Sequence, residues 1–169
     1  MPQPDDSVEV LLVEDSDDDA EMTIHSLNAH RLGNRIVRLR DGQEALDYFF
    51  LDGGQEATRK GLPKLVLLDI KMPKVDGLEV LRELRGNPQT SNLPIVLLTS
   101  SAEERDLHQA YELHANSYIV KPVNFEKFVE SIREIGMYWL VLNRLPGDRD
   151  NPPIEPVRRV EDDQPAMAV

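Results

Sequence analysis

The stretch LLVEDSDDDAEMT (11–23) decides between two folds. Five carboxylates fall within six positions, Glu14 to Asp19, directly after an apolar run. Read as a calcium loop, the segment belongs between two helices. Read as the end of a strand, it opens an α/β sheet. An EF-hand loop needs oxygen ligands at alternate positions, a glycine at the sixth and a bidentate Glu at the twelfth. Asp15, Asp17 and Asp19 fill the first three places. Ala20 then stands where the glycine should turn the chain, and Ser26 where the Glu should chelate. The residues before Asp15 also have the β-rich pattern of a strand. The stretch therefore predicts a strand whose rim carries Glu14 and Asp15. Asp17, Asp18 and Asp19 then start a helix, where carboxylates suit the free N–H groups and the helix dipole.

The same alternation continues outward. VEVLLV (8–13), RIVRL (35–39), KLVLLDI (64–70), LPIVLLT (93–99) and NSYIV (116–120) predict five strands. The third and fourth are nearly continuous Val, Leu and Ile, as parallel strands covered on both faces require. Between them lie helical stripes: Ala20, Ile24 and Leu27; Ala45, Leu46, Phe49 and Phe50; Leu78, Leu81 and Leu84; Leu107, Ala110 and Tyr111. A fifth helix is expected from about 124 to about 143. Five strand-then-helix units predict an α/β fold with a doubly wound parallel sheet. Residues 1–7 are expected to be a flexible N-terminus, 8–145 the domain, and 146–169 a disordered acidic, proline-rich tail. LDGGQEATRKGLP (51–63) reads as a long surface insertion.

Composition narrows the partners. A net charge of −12 argues against nucleic acid, which needs clustered cations. There is no cysteine, so disulfides and thiolate metal sites are excluded. MPQPDDSVEV has no apolar signal core, and no apolar run approaches the ~20 residues of a membrane span. A cytoplasmic location, with no membrane contact, is expected.

In open α/β sheets ligands bind beyond the carboxyl ends of the strands. Those ends offer Glu14 and Asp15, Asp69, Thr99 with Ser100, and Lys121 with Pro122. Clustered carboxylates repel unless a cation lies among them. Hard oxygen ligands without cysteine favour Mg²⁺. An added lysine and hydroxyl would complete a receptor for a transferring phosphoryl group, with a carboxylate as nucleophile.

The set Glu14–Asp15, Asp69, Thr99 and Lys121–Pro122 resembles the receiver domain of two-component response regulators. LLDIKMPKVDGLEVL resembles the stretch around the family's phosphoacceptor, LPIVLLTSS its fourth strand, and ANSYIVKPV its fifth. The resemblance covers residues 8 to about 145. It implies a flavodoxin-like sheet of order 2-1-3-4-5 with five helices. It implies Asp69 as phosphoacceptor for a histidine kinase, and Mg²⁺ held by Glu14, Asp15, Asp69 and the backbone carbonyl of Lys71. Lys121 would pair with a phosphoryl oxygen, and Thr99 and Tyr118 would form the switch. A cis Lys121–Pro122 bond is also implied, as is signalling through helix 4, strand 5 and helix 5. His114 stands where many receivers have a left-handed Gly, a conformation that His tolerates better than most residues.

Met137, Tyr138, Trp139, Leu140, Val141 and Leu142 are apolar in succession. Phe128, Ile132, Ile135, Trp139 and Leu142 form one stripe for the domain's own core. The other faces need a cover, either the tail folding back or a second copy of the chain. The copy is the expectation, through Met137, Tyr138, Trp139, Leu140 and Val141, because isologous dimers are the commonest assembly. This ending, LHAN (113–116) and the long insertion resemble the stand-alone regulators of phytochrome-type histidine kinases, so a bacteriophytochrome is an expected partner. Two alternatives stand beside this reading. One is a pseudo-receiver scaffold that takes no phosphate. The other is a haloacid-dehalogenase-type phosphatase using the formal D-x-D of Asp15 and Asp17, which would leave DIKMPKVDG (69–77) without a purpose.

Overall fold

The computed structural model describes residues 8–33, 35–51 and 61–145. The expected flexible N-terminus, the tail 146–169 and most of the 51–63 insertion lie outside these residues. Strands β1 (Val10–Val13), β2 (Ile36–Leu39), β3 (Leu65–Leu68), β4 (Ile95–Thr99) and β5 (Ser117–Val120) alternate with α1 (Asp17–Ala29), α2 (Gly42–Phe50), α3 (Gly77–Gly86), α4 (Glu104–Glu112) and α5 (Phe125–Gly136). The sheet is five-stranded, in the order β2-β1-β3-β4-β5, and all four pairings are parallel. This is the expected flavodoxin-like order, and no calcium-type helix–loop–helix forms around Asp15.

Alternation along the strands builds two cores. Leu11, Val13, Val66, Leu68, Ile95 and Leu97 face α2, α3 and α4. Val10, Leu12, Leu65, Leu67, Val96 and Leu98 face α1 and α5. Every residue of β1, β3 and β4 is buried, which is why these strands read as unbroken apolar runs. Each strand hands over to its helix on the carboxyl rim, and polar caps fix the handovers. Ser16, Asp41, Asp76 and Asn124 each accept a backbone N–H three residues on. His114 adopts a left-handed φ of 62°, as expected from its place at the end of α4. The Arg85 guanidinium donates to the carbonyls of His114, Ser91 and Leu93, tying that turn to α3.

Three sequence expectations need correction. The fifth helix does not run unchanged to 143: after Gly136 it widens into a π-helical segment, Met137–Leu142, closed by Asn143 N–H donating to Tyr138 O at 2.6 Å. A stripe spaced for 3.6 residues per turn loses its phase in this wider winding. Leu142 therefore leaves the core stripe and is 65% exposed. Tyr111, placed in the core stripe of α4, is also exposed, since that short helix buries Ala110 and half-buries Leu107. Finally, no cis peptide occurs among the described residues, so Lys121–Pro122 is trans. The trans form is the ordinary preference of an X–Pro bond, and Lys121 reaches its partners without the isomer.

Gly77 begins α3 directly against the phosphoacceptor candidate. A Cβ there would lie 2.0 Å from the backbone oxygen of Asp69. Gly77→Ala is expected to lower stability by roughly 1–3 kcal/mol through backbone displacement. Urea unfolding should show a lower midpoint with an unchanged m-value.

Candidate functional site

Sheet register brings the polar residues together. Val13 lies opposite both Leu39 and Leu68, and Thr99 opposite Val120. The ladder continues one step past the strands: Glu14 N–H donates to Leu39 O, Asp69 N–H to Val13 O, and Lys121 N–H to Thr99 O. Glu14, Asp69 and Lys121 therefore sit side by side on one rim.

At their centre is the Lys121 ammonium. It contacts Glu14 Oε2 at 2.6 Å, Asp19 Oδ2 at 2.8 Å and Asp69 Oδ2 at 3.2 Å. The lysine side chain is only 8% exposed and those of Glu14 and Asp69 are similarly buried, while that of Asp19 is 31% exposed. Burial pushes the Glu14 carboxyl up to about 7, against the pull of its hydrogen bond from Lys121. Burial would lower the Lys121 pKa, but hydrogen bonds to Asp19 and Glu14 and the charge of Asp69 outweigh it and raise it. Three carboxylates surround one ammonium, so the cluster remains an attractive place for a further cation.

Glu14, Asp15 and Asp69 each offer an oxygen, with the three oxygens within 4.8 Å of one another. Asp15 is exposed at the mouth, and the other two are buried. An all-carboxylate set fits a hard divalent cation such as Mg²⁺ or Mn²⁺. Lys71, two residues beyond Asp69, turns its ammonium to Asp106 at 3.3 Å. Within Asp69, Oδ1 accepts the Ile70 N–H at 2.7 Å. Oδ2 faces the lysine.

Thr99 is fully buried, and its Oγ1 accepts the Ser101 N–H at 3.1 Å. Ser101 also accepts, through its carbonyl, the Tyr118 hydroxyl at 2.8 Å. Its own hydroxyl donates to Asp106 at 2.5 Å. The Ser101 hydrogen bond, more than the nearby Lys71, holds the Asp106 carboxyl below the usual carboxylate range. Burial raises the Tyr118 phenol.

Thus Glu14, Asp15, Asp69, Thr99, Lys121 and Tyr118 converge on one end of the sheet. The chain's end is different. Trp139 and Leu140 pack on the core shared with α1, whereas Met137, Tyr138, Val141 and Leu142 are exposed. Sequence reasoning assigned the whole run 17–19 to helix starting and so missed Asp19. It also missed Arg38, which clasps Asp17 at 2.6 Å and the Glu14 carbonyl at 3.0 Å, and the Ser101–Asp106 pair. The signal for Asp19 was its place in the first helical turn, where side chains lean back toward the preceding strand end.

The response regulator receiver domain family matches residues 10–133. The probable methanogenesis regulatory protein FilR2 of Methanothrix harundinacea is 41% identical over 145 residues, spanning 86% of this chain and 92% of its own. Among solved structures, the phosphorylated cyanobacterial phytochrome response regulator RcpA superposes with a TM-score of 0.76 at 34% identity, covering 83% of this chain and 99% of its own. The bacteriophytochrome response regulator AtBRR is 46% identical, with a TM-score of 0.62 and coverage of 82% and 99%.

Removing the ammonium tests how the cluster is balanced. Lys121→Met would leave buried carboxylates facing one another, at a cost of roughly 3 kcal/mol or more near pH 8. Freed of the lysine, they would bind protons more tightly when folded than unfolded, so the loss should shrink toward pH 5. Chemical denaturation at the two pH values measures the difference.

Proposed function

Because this chain belongs to the response regulator receiver family, we propose that it accepts a phosphoryl group on Asp69 from a histidine kinase and signals through α4, β5 and α5. Membership makes it a component of two-component signalling and removes the dehalogenase-type phosphatase reading. The observation that carries the phosphoacceptor assignment is the asymmetry of Asp69: Oδ1 is held by a backbone N–H, and Oδ2 faces a buried ammonium. In the transfer, Oδ2 forms a bond to phosphorus as the P–N bond to the kinase histidine breaks, and the electron pair leaves with the imidazole nitrogen. Lys121 then donates to a transferred oxygen. Thr99 would turn from the Ser101 N–H toward the phosphoryl group. Tyr118, bound to the carbonyl of that same Ser101, would follow the loop and alter the surface of α4, β5 and α5. Glu14, Asp15 and Asp69, with the backbone carbonyl of Lys71, would hold Mg²⁺, which when bound supplies positive charge for the phosphoryl oxygens.

The kinase we propose is of the phytochrome type, a bacteriophytochrome included. The likeness to RcpA and AtBRR over nearly the full length of both supports this, together with the ending and LHAN motif of the sequence. We place a homodimer contact on the π-helical segment, where Met137, Tyr138 and Val141 expose apolar surface beside Leu142. Trp139 and Leu140, half-buried on their own core, would support that surface from beneath.

Phosphorylation by acetyl phosphate, followed on phosphate-affinity gels, should be complete in the wild type and absent in Asp69→Asn. A wild type that takes no phosphate would instead support the pseudo-receiver reading. Mg²⁺ binding requires an ionised Glu14, whose pKa is about 7. Affinity, measured by calorimetry, should therefore be level above that pH and fall as the pH drops below it, by up to about tenfold per unit. Light scattering over a concentration series should give twice the monomer mass, and Tyr138→Glu with Val141→Glu should return it to one.

A further inference from the structure

Asp19 is the third partner of Lys121, and nothing in the receiver assignment uses it. Its placement follows from local chemistry. Ser16 caps α1 by accepting the Asp19 N–H, so Asp19 occupies the helix position whose carboxylate usually reaches back to the cap's N–H. Here that N–H is already taken, by Glu14 Oε1 at 3.1 Å. The Asp19 carboxylate is left to point across the rim, where it meets Lys121 Nζ at 2.8 Å.

An ammonium has three donors. In Lys121 they are directed to Glu14, Asp19 and Asp69. Two of those partners are also needed elsewhere. Glu14 and Asp69 belong to the three-carboxylate group that fits a divalent cation, and Asp69 Oδ2 is the oxygen placed to attack phosphorus. Asp19 lies outside that group. It is thus the one carboxylate able to keep its hold on the lysine while the others turn to metal and phosphoryl group.

From this we infer that Asp19 is a positioning residue for phosphoryl transfer, anchoring the Lys121 ammonium so that the donor now on Asp69 Oδ2 passes to a phosphoryl oxygen without a search. This rests on Asp69 being the phosphoacceptor. An unanchored lysine would lose orientation, not charge, so the defect belongs chiefly to the transfer step and not to the three-carboxylate cation group.

The test uses the full chain as wild type, Asp19→Asn, Asp19→Glu and Asp69→Asn. Acetyl phosphate is the donor: Asp69 Oδ2 bonds to phosphorus, the P–O bond breaks, and acetate leaves with the electron pair. At saturating Mg²⁺, Asp19→Asn should phosphorylate roughly three- to tenfold more slowly, as expected for loss of one partly exposed charge-assisted hydrogen bond. Its Mg²⁺ affinity should fall by less than its rate, because Asp19 lies outside the three-carboxylate group, and Asp19→Glu should recover part of the rate. In metal-free protein, Lys121 held by three carboxylates should give a slowly exchanging ζ-ammonium signal in ¹H–¹⁵N spectra, identified by its absence from Lys121→Met and lost in Asp19→Asn. An equal or faster rate in Asp19→Asn, or a rate loss matched by lost Mg²⁺ affinity, would overturn the inference while leaving Asp69 in place. A wild type that behaves like Asp69→Asn would overturn the phosphoacceptor assignment and this one with it.

Discussion

The end of the sheet depends on one ammonium among three carboxylates. Glu14, Asp69 and Lys121 are each fixed by a ladder hydrogen bond that extends β1, β3 or β5 by one residue. Their separations are therefore set by strand spacing and not by loop conformation. Without Lys121, two buried carboxylates would face each other in a poorly solvated rim. With it, the cluster is held together yet still short of positive charge. That imbalance makes the rim receptive to a divalent cation and to chemistry that builds up negative charge.

The surroundings spread this constraint outward. Arg38 on β2 clasps Asp17 and the Glu14 carbonyl, which separates one part of the acidic run from the site and orients the start of α1. Across the rim, Ser101 uses its N–H on Thr99, its carbonyl on Tyr118 and its hydroxyl on Asp106. Asp106 in turn meets Lys71, two residues beyond Asp69. The loop before α4 is thus linked both to the site and to the face made by β5. A change in what Thr99 contacts has a short, continuous route to Tyr118, through packed and hydrogen-bonded groups.

The π-helical ending shows how winding alone can reassign side chains. Six apolar residues in an α-helix would have returned Leu142 to the stripe of Ile132 and Ile135. The wider winding keeps Trp139 and Leu140 on the core and turns Met137, Tyr138, Val141 and Leu142 outward. The exposed apolar patch is a product of the winding as well as of composition.

The doubly wound parallel sheet and the convergence of Glu14, Asp15, Asp69, Thr99 and Lys121 on its rim were legible in the sequence, because parallel strands buried on both faces leave uninterrupted apolar runs that end in polar residues, whereas the strand order followed only from the family resemblance. Such patterns are local, and burial and pleat enforce them. Asp17, Asp18 and Asp19 illustrate the limit. As a string they are one acidic helix start, but folded they divide between Arg38, an exposed position and Lys121. That division depends on which cation lies across a rim more than a hundred residues away in the chain, and on Glu14 having taken the cap N–H first. The π winding of Met137–Leu142 likewise could not be read from six apolar residues in a row. Periodicity determined where the site would form. Only tertiary packing decided which charges would meet in it, because hydrogen-bond partners are chosen by distance in space and by competition for a limited number of donors.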